Sequence, residues 1–185
     1  SDFVRSSIDI ITPLCAVAVR RAISKHTPCK IKWPNAIVSD CGKKLCGILT
    51  KVQNDHDGNM FVNVGIGINA NTNEFDSELC WASSIKLISG KEVNENNLLC
   101  DCLLELENCL NKESKDNAMA EFKTCCLTLG SSIRLVYNNK KEDETGVCTD
   151  IDRSGALIVK KDNGEITRVN SGEVSVRGIY GEDYV

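Results

Sequence analysis

Lys32-Trp33-Pro34-Asn35-Ala36-Ile37-Val38-Ser39-Asp40-Cys41-Gly42-Lys43-Lys44-Leu45-Cys46-Gly47-Ile48-Leu49 is the stretch on which the reading of this chain turns. Proline fixes its own φ near −65° and pushes the residue before it out of the helical region, so Trp33-Pro34 is extended and Asn35 is presented at the end of a strand. Lys44 leads into an apolar run interrupted by Gly47. A glycine there lets something approach the backbone where any Cβ would intrude. A positioned amide, a positioned cation and open backbone together suit a small anionic ligand that carries a base. The residue types alone also fit a plainer arrangement, two strands joined by a polar turn with Gly47 marking a bulge. Strand alternation puts Lys43 and Lys44 on opposite faces, so one of the two at most points into a site.

Periodicity extends the picture outward. Phe3 to Ile8 reads as the end of a strand. Thr12 and Pro13 then open a helix as N-cap and first residue, and Leu14, Val17, Ala18 and Ala22 continue it to about Lys25. Lys30 to Trp33 and Lys43 to Val52 read as strands. Asn54 to Asn59 is a turn whose Asp57-Gly58 supplies the left-handed positions a hairpin needs. Met60 to Ile68 is a third strand, apolar enough in its second half to expect burial on both faces. Helices are expected over Leu79–Ile88, Asn94–Lys112 and Lys115–Leu127, the second with a stripe of Leu98, Leu99, Cys102, Leu103, Leu106, Cys109 and Leu110. Near Gly130 the period changes from about 3.6 to 2, and five short strands follow: Ser132–Tyr137, Thr145–Asp150, Ala156–Lys160, Glu165–Asn170 and Glu173–Arg177. Their spacing and the glycines between them predict a small barrel. The expected division is 1–129 and 130–185.

Composition narrows the function classes. The 185 residues are 42% apolar and 26% charged, which is ordinary for a folded soluble chain. The net charge of −4 argues against nucleic acid, whose phosphates demand a concentrated basic face. No apolar run is long enough for a membrane span. Eleven cysteines and only two histidines, His26 and His56, show no Cys-x-x-Cys and no paired ligand spacing. No protein-held metal is therefore expected, and thiols such as Cys15, Cys46, Cys80 and Cys126 read as small buried hydrophobes in a reducing, cytoplasmic setting. Cys100 and Cys102, two apart on a helix, face different sides.

Two further segments give the opening stretch company. Val64-Gly65-Ile66-Gly67-Ile68-Asn69-Ala70-Asn71 follows the hairpin, and Gly172-Glu173-Val174-Ser175-Val176-Arg177 lies near the end of the chain. In this order and at these separations the three resemble the biotin protein ligase (holocarboxylase synthetase) family, whose pattern runs KWPND, KxxGIL, GxGxNxN and a C-terminal GEVSxR. The resemblance spans nearly the whole chain. It implies an α/β (α+β) fold: a mixed β-sheet with packed helices, of the class II synthetase-like biotin/lipoate ligase type, joined to a small C-terminal SH3-like β-barrel. The activity implied is ATP-dependent formation of biotinyl-AMP and transfer of biotin to a lysine of a carboxylase carrier domain. ATP with Mg2+, and biotin, are the implied ligands, with a homodimer possible.

Residue by residue, the resemblance makes Lys44 the catalytic cation that contacts the biotin carboxylate and phosphate oxygens. Gly47 and Ile48 become backbone bordering biotin, and Asn35, Gly65, Ile68 and Asn69 adenine contacts. Arg177 becomes the arm from the small domain to the phosphates, and Glu173 an interdomain partner of Lys32. The Gly-x-Gly by itself is weak: it lacks a third glycine and is followed by Asn-Ala-Asn-Thr-Asn. Trp33 reads as a core plug. Two departures stand out. Ala36 occupies the place of the family aspartate, and the family's Gly-Arg-Gly-Arg loop is not in this sequence, whose start at Ser1 to Ser6 resembles the strand just after that loop. The expectation is an impaired ligase. The rivals are a non-catalytic adenylate-binding or interaction module and, less well matched by the chain's ending, a lipoate-type acyl ligase.

Overall fold

The computed structural model describes residues 8–111, 114–137, 143–171 and 174–177. After a 3-10 turn at Ile8–Ile10 comes helix α1, Ile11–Ser24. Ten of its fourteen residues are buried. A helix apolar on every side needs neighbours on every side. α1 has them: strands β1 (Cys29–Lys32), β2 (Ala36–Ser39) and β3 (Lys44–Asn54) on one flank, helices α3 (Glu95–Leu110) and α4 (Lys115–Cys125) on the other. A short α2 (Ile85–Ser89) lies between the strands and α3. Arg20 and Arg21 fasten α1 to α4 through Glu121, and Arg21 also reaches Glu105 on α3.

The first sheet has the order β1-β2-β3-β4, with β4 spanning Met60–Ile68. Its ladders are all antiparallel; among the described residues parallel neighbours occur as isolated bridges, Ile31 with Cys126 and Lys44 with Ala82. The Asp55–Asn59 turn closes the β3–β4 hairpin, with the Asp55 carboxylate accepting from the Asp57 and Asn59 amides. Gly58 has φ +78, as the sequence requires.

Several expectations need correcting. Thr12 does not cap α1: the helix begins at Ile11, two residues before the expected Pro13, and the Thr12 hydroxyl bonds that of Thr50. Strand β2 breaks what reads as a polar turn, because Ala36-Ile37-Val38-Ser39 is wholly buried between β1 and β3. No residue of β4 is fully buried, since among the described strands it has a neighbour on one side only. The helix expected over Leu79–Ile88 is a 3-10 turn at Ser77–Leu79 and the one-turn α2, capped by Ser84. Between them, residues 81–83 pair with Lys44 instead. Cys80 is exposed, unlike the other thiols expected to be buried, and on α3 Leu99 and Leu103 are each 57% exposed. The strand expected over Phe3 to Ile8 falls almost wholly outside the described residues.

The second sheet contains β5 (Ser132–Tyr137), β6 (Glu144–Ile151), β7 (Leu157–Lys161), β8 (Ile166–Val169) and β9 (Val174–Arg177) in the order β8-β7-β6-β5-β9, antiparallel throughout. Among the described residues no ladder joins β8 to β9 to close it. Trp33 joins the two sheets: it is 3% exposed, its indole N–H donates to the Gly155 carbonyl (2.8 Å), and its amide donates to the Thr128 hydroxyl (3.1 Å). Gly155 has φ +82 and lies so close to Pro13 of α1 that a Cβ there would sit 2.8 Å from the proline ring.

Candidate functional site

On the face of β3 and β4 turned away from α1 lies a shallow depression of about 500 Å³ bounded by Asn35, Lys44, Gly47, Ile48, Leu49, Gly65, Ile66 and Gly67. Its floor follows from the register. Gly47 pairs with Gly67, and Leu49 pairs with Gly65, so three glycines meet on one patch of sheet. None of the three has a positive φ, and a Cβ at Gly65 or Gly67 would meet nothing nearer than carbonyl oxygens at 3.8 and 4.0 Å. A glycine within a strand costs about 0.5–1 kcal/mol in backbone entropy relative to alanine. Neither turn geometry nor crowding accounts for Gly65 and Gly67, while at Gly47 a Cβ would press on the end of the Lys44 side chain. What they provide is bare backbone that a flat ligand can approach.

The cation above that floor is placed by an irregularity. Ile37 pairs with Cys46 but Val38 pairs with Lys44, so Leu45 is an extra residue in β3. Simple alternation would put Lys44 on the same face as Cys46 and Ile48, both buried against α1 and its neighbours. The bulge at Leu45 re-aims it, as bulges do. Lys44 therefore joins Gly47 on the open face. Its side chain lies across that glycine, with Cε and Nζ 3.3 and 3.4 Å from where a Cβ would be. Its ammonium stands 5.4 Å from the centroid of the Trp81 ring. Among the described residues no carboxylate pairs with it. Lys43, by contrast, donates its ammonium to the Cys80 carbonyl.

Asn35 sits at the other rim, held by a two-way link to β3: its side-chain N–H donates to the Ile48 carbonyl (2.7 Å), and the Ile48 amide donates to the Asn35 carbonyl (2.9 Å). Ile48 borders the depression by its backbone while its side chain is in the core. Asn69 lies behind Lys44, not beside the floor. Its side-chain N–H reaches the Ser83 carbonyl (3.1 Å) and the Lys44 carbonyl (3.4 Å), pinning the backbone that carries the cation. Ile68 departs furthest from expectation. Alternation along β4 turns Ile66 and Ile68 away from Gly65 and Gly67, and Ile68 lines a separate groove of about 560 Å³ against α3. That groove is largely apolar, with Glu95 its single charged residue.

Arg177 is placed by its backbone in β9, opposite Arg134. Glu173 falls outside the described residues, so its expected pairing with Lys32 is not placed. The buried Ala36 pairs with Gly47 across β2 and β3, next to the glycine floor. Trp81 belongs to none of the sequence motifs. Its place beside Lys44 depends on Lys44 donating its amide to the Trp81 carbonyl (2.8 Å) and accepting from the Ser83 amide (3.0 Å). The thiol of Cys46, on the buried face of β3, is pushed up to about 12, chiefly by burial, which keeps it protonated. No group of metal-ligating side chains occurs among the described residues. None of the described helices is long and apolar enough to cross a membrane.

Residues 128–177 match the family model described as the biotin protein ligase C terminal domain. Over 178 residues, 90% of this chain and 52% of the relative, the sequence is 30% identical to the bifunctional ligase/repressor BirA of Bacillus subtilis, and equally so to that of Bacillus spizizenii. The chain thus spans about half the length of these curated relatives. Among solved structures, the apo biotin protein ligase of Aquifex aeolicus superposes with a TM-score of 0.76 at 27% identity, covering 90% of this chain and 74% of that one. The same Aquifex enzyme in complex with biotin and ATP gives 0.75 at 27% identity over 91% and 71%. A ligase from Leishmania major in complex with biotinyl-5-AMP, at 19% identity and a TM-score of 0.54, shares the fold.

Proposed function

Because this chain is a member of the biotin protein ligase family, we propose that the protein to which it belongs activates biotin with ATP and passes it to a carrier-domain lysine. The single observation that carries this reading is Lys44: an ammonium with no carboxylate partner among the described residues, laid across Gly47 in a depression shared with Gly65, Gly67 and Asn35. In the first step a biotin carboxylate oxygen attacks the α-phosphorus of ATP, the α–β bond breaks and pyrophosphate leaves. In the second the carrier amine attacks the anhydride carbonyl, AMP leaves and the amine loses a proton. Both transition states gather negative charge on oxygens beside the reacting atom, and a fixed cation aimed there stabilises them. Lys44 fills that role. Gly47, Gly65 and the Ile48 backbone border the ligand, and Asn35 offers an amide edge to the base. Asn69 acts through the Lys44 backbone. ATP brings Mg2+ as its counter-ion.

The proposal keeps the division of the chain at 129/130, with Arg177 reaching the phosphates from the second unit and Glu173 meeting Lys32. The match over 128–177 supports a biotin-type over a lipoate-type ligase. Ala36 favours a second reading, an impaired or non-catalytic adenylate-binding module. A carboxylate at that position would lie beside Gly47 and could orient the attacking amine, a contribution typically worth about 10²–10⁴-fold. The test is a thermal-shift titration of this chain with biotin and with a biotinol-adenylate analogue, followed by a streptavidin blot after incubation with ATP, biotin and a carrier domain. The analogue should stabilise more than biotin, and biotinylation should be undetectable with or without Ala36→Asp. Equal responses to the two ligands would refute the nucleotide-side site. Turnover by this chain alone would refute the impairment.

A further inference from the structure

We propose that Trp81 is a positioning residue for Lys44, an indole wall that holds the ammonium over the glycine floor and leaves its opposite side for an anion. The inference rests on the reading of Lys44 given above and adds a residue to it. A lysine kept for a ligand faces a conflict. Free in solvent it wanders over many rotamers and loses that freedom when finally ordered. Tied to a carboxylate it is ordered but neutralised. An aromatic face resolves this, because the ring quadrupole attracts the cation without adding a formal charge.

The surroundings of Lys44 match that solution. The ring centroid is 5.4 Å from Nζ. The two residues are locked side by side by backbone hydrogen bonds, Lys44 amide to Trp81 carbonyl at 2.8 Å and Ser83 amide to Lys44 carbonyl at 3.0 Å. Asn69 anchors the same junction from behind through the Ser83 carbonyl. Gly47, where a Cβ would stand 3.3 Å from Lys44 Cε and 3.4 Å from Nζ, leaves room for the end of the lysine. The neighbouring cation cannot compete for the ring, since Lys43 is committed to the Cys80 carbonyl. The other tryptophan serves the core instead, since Trp33 is buried and donates to Gly155.

The experiment has two arms on Trp81→Leu and Trp81→Phe. Without ligand, ¹H–¹³C NMR should show the Lys44 εCH₂ protons, assigned by their loss in Lys44→Arg, shifted upfield by the ring. They should return to the usual lysine position in Trp81→Leu and remain shifted in Trp81→Phe. Unshifted protons in the wild-type chain overturn the contact. With ligand, calorimetry compares biotinol-adenylate, which carries a phosphate charge, with neutral adenosine. Trp81→Leu should weaken the adenylate about 3–10-fold, the range expected for a cation–π contact, and leave adenosine unchanged, while Trp81→Phe stays within about twofold of wild type. In a Lys44→Met background, Trp81→Leu should cause no further loss. Equal losses for both ligands, or an undiminished loss in Lys44→Met, overturn the assignment and give Trp81 a direct contact with the nucleoside or a purely structural part. Failure of the wild-type chain to bind either ligand would count against the proposed function, and the NMR arm would still decide the role of Trp81.

Discussion

Gly47→Ala should raise the stability of the ligand-free protein and at the same time weaken ligand binding. Gly47 lies in the middle of β3 with an ordinary extended φ, so alanine meets no backbone strain there. The gain from removing a glycine in a strand is about 0.5–1 kcal/mol. Against it stands the new Cβ, 3.3 Å from Lys44 Cε and 3.4 Å from Nζ. Those atoms are the far end of a flexible side chain on an open face, so the lysine can yield a few tenths of an ångström at small cost. The net expectation is a gain of roughly 0.5 kcal/mol, or about 1–2 °C in Tm for a chain of this size. Binding changes in the other direction. The methyl stands on the floor where a ligand would lie and displaces the ammonium meant to meet it. Crowding of this kind typically costs about 1–3 kcal/mol, which is at least fivefold in affinity. Urea denaturation with and without biotinol-adenylate measures both quantities on one sample. Gly65→Ala and Gly67→Ala serve as companions, since their Cβ atoms would meet only carbonyl oxygens at 3.8 and 4.0 Å. A fall of more than about 1 kcal/mol in the ligand-free stability of all three variants, beyond the entropic gain, would show that the glycines serve the fold. An unchanged ligand response would show that the floor is not the site.

Other expectations concern the frame around the site. Gly155→Ala combines a left-handed φ of +82 with a Cβ 2.8 Å from Pro13, and should destabilise by about 2 kcal/mol or more, read as a lowered urea midpoint; a neutral result would refute the close packing of α1 on the second sheet. Asp152 is held at about 2, burial pushing it up but being outweighed by the Ser154 hydroxyl, the Arg168 guanidinium and the amides of Ala156 and Ser154. Its folded pKa is depressed, so the stability it contributes is present above its unfolded pKa near 4 and is lost as pH falls toward 2. Denaturation of wild type and Asp152→Asn should therefore differ by ~1–2 kcal/mol at pH 6, by about half of that near pH 3, and converge only below about pH 2; a gap that persists there would refute the electrostatic origin. Maleimide at pH 8 should label Cys41, Cys80 and Cys100 in the native protein well before the buried thiols, of which Cys46 and Cys148 are each pushed up to about 12 by burial. Rapid native labelling of Cys46 by mass spectrometry would contradict the packed core beneath Lys44.

Much of the frame is legible in the order of residue types. The all-apolar run from Leu14 to Val19 announces a helix buried on every side, Asp57-Gly58 announces the hairpin, and the change of period near Gly130 announces a second sheet. Each is a local property: periodicity, a φ preference or a missing side chain acts over a few residues and survives translation into three dimensions. The first two motifs likewise point to Lys44, Gly47 and Gly65, and the register brings them to one depression with Asn35.

What the linear chain could not disclose depends on partners distant in sequence. Alternation alone assigns Lys44 to the buried face of β3, and only the extra residue Leu45, opposed to the short strand β2, turns it outward. Ile68 shares a motif with Gly65 yet lies on the other face of β4, because a strand sends alternate side chains to opposite sides whatever the motif unites. Trp81 sits within a stretch that reads as helix, and it comes to Lys44 through backbone hydrogen bonds across 37 positions of chain. The apolar half of β4 reads as doubly buried, but burial is set by what packs on a strand, and β4 is an edge among the described strands. Residue types and their spacing announced most of the elements and pointed to Lys44, Gly47, Gly65 and Asn35, but not to β2 or Trp81. The face each side chain occupies was decided by tertiary structure, because one inserted residue or one missing neighbour reverses it without altering any local preference.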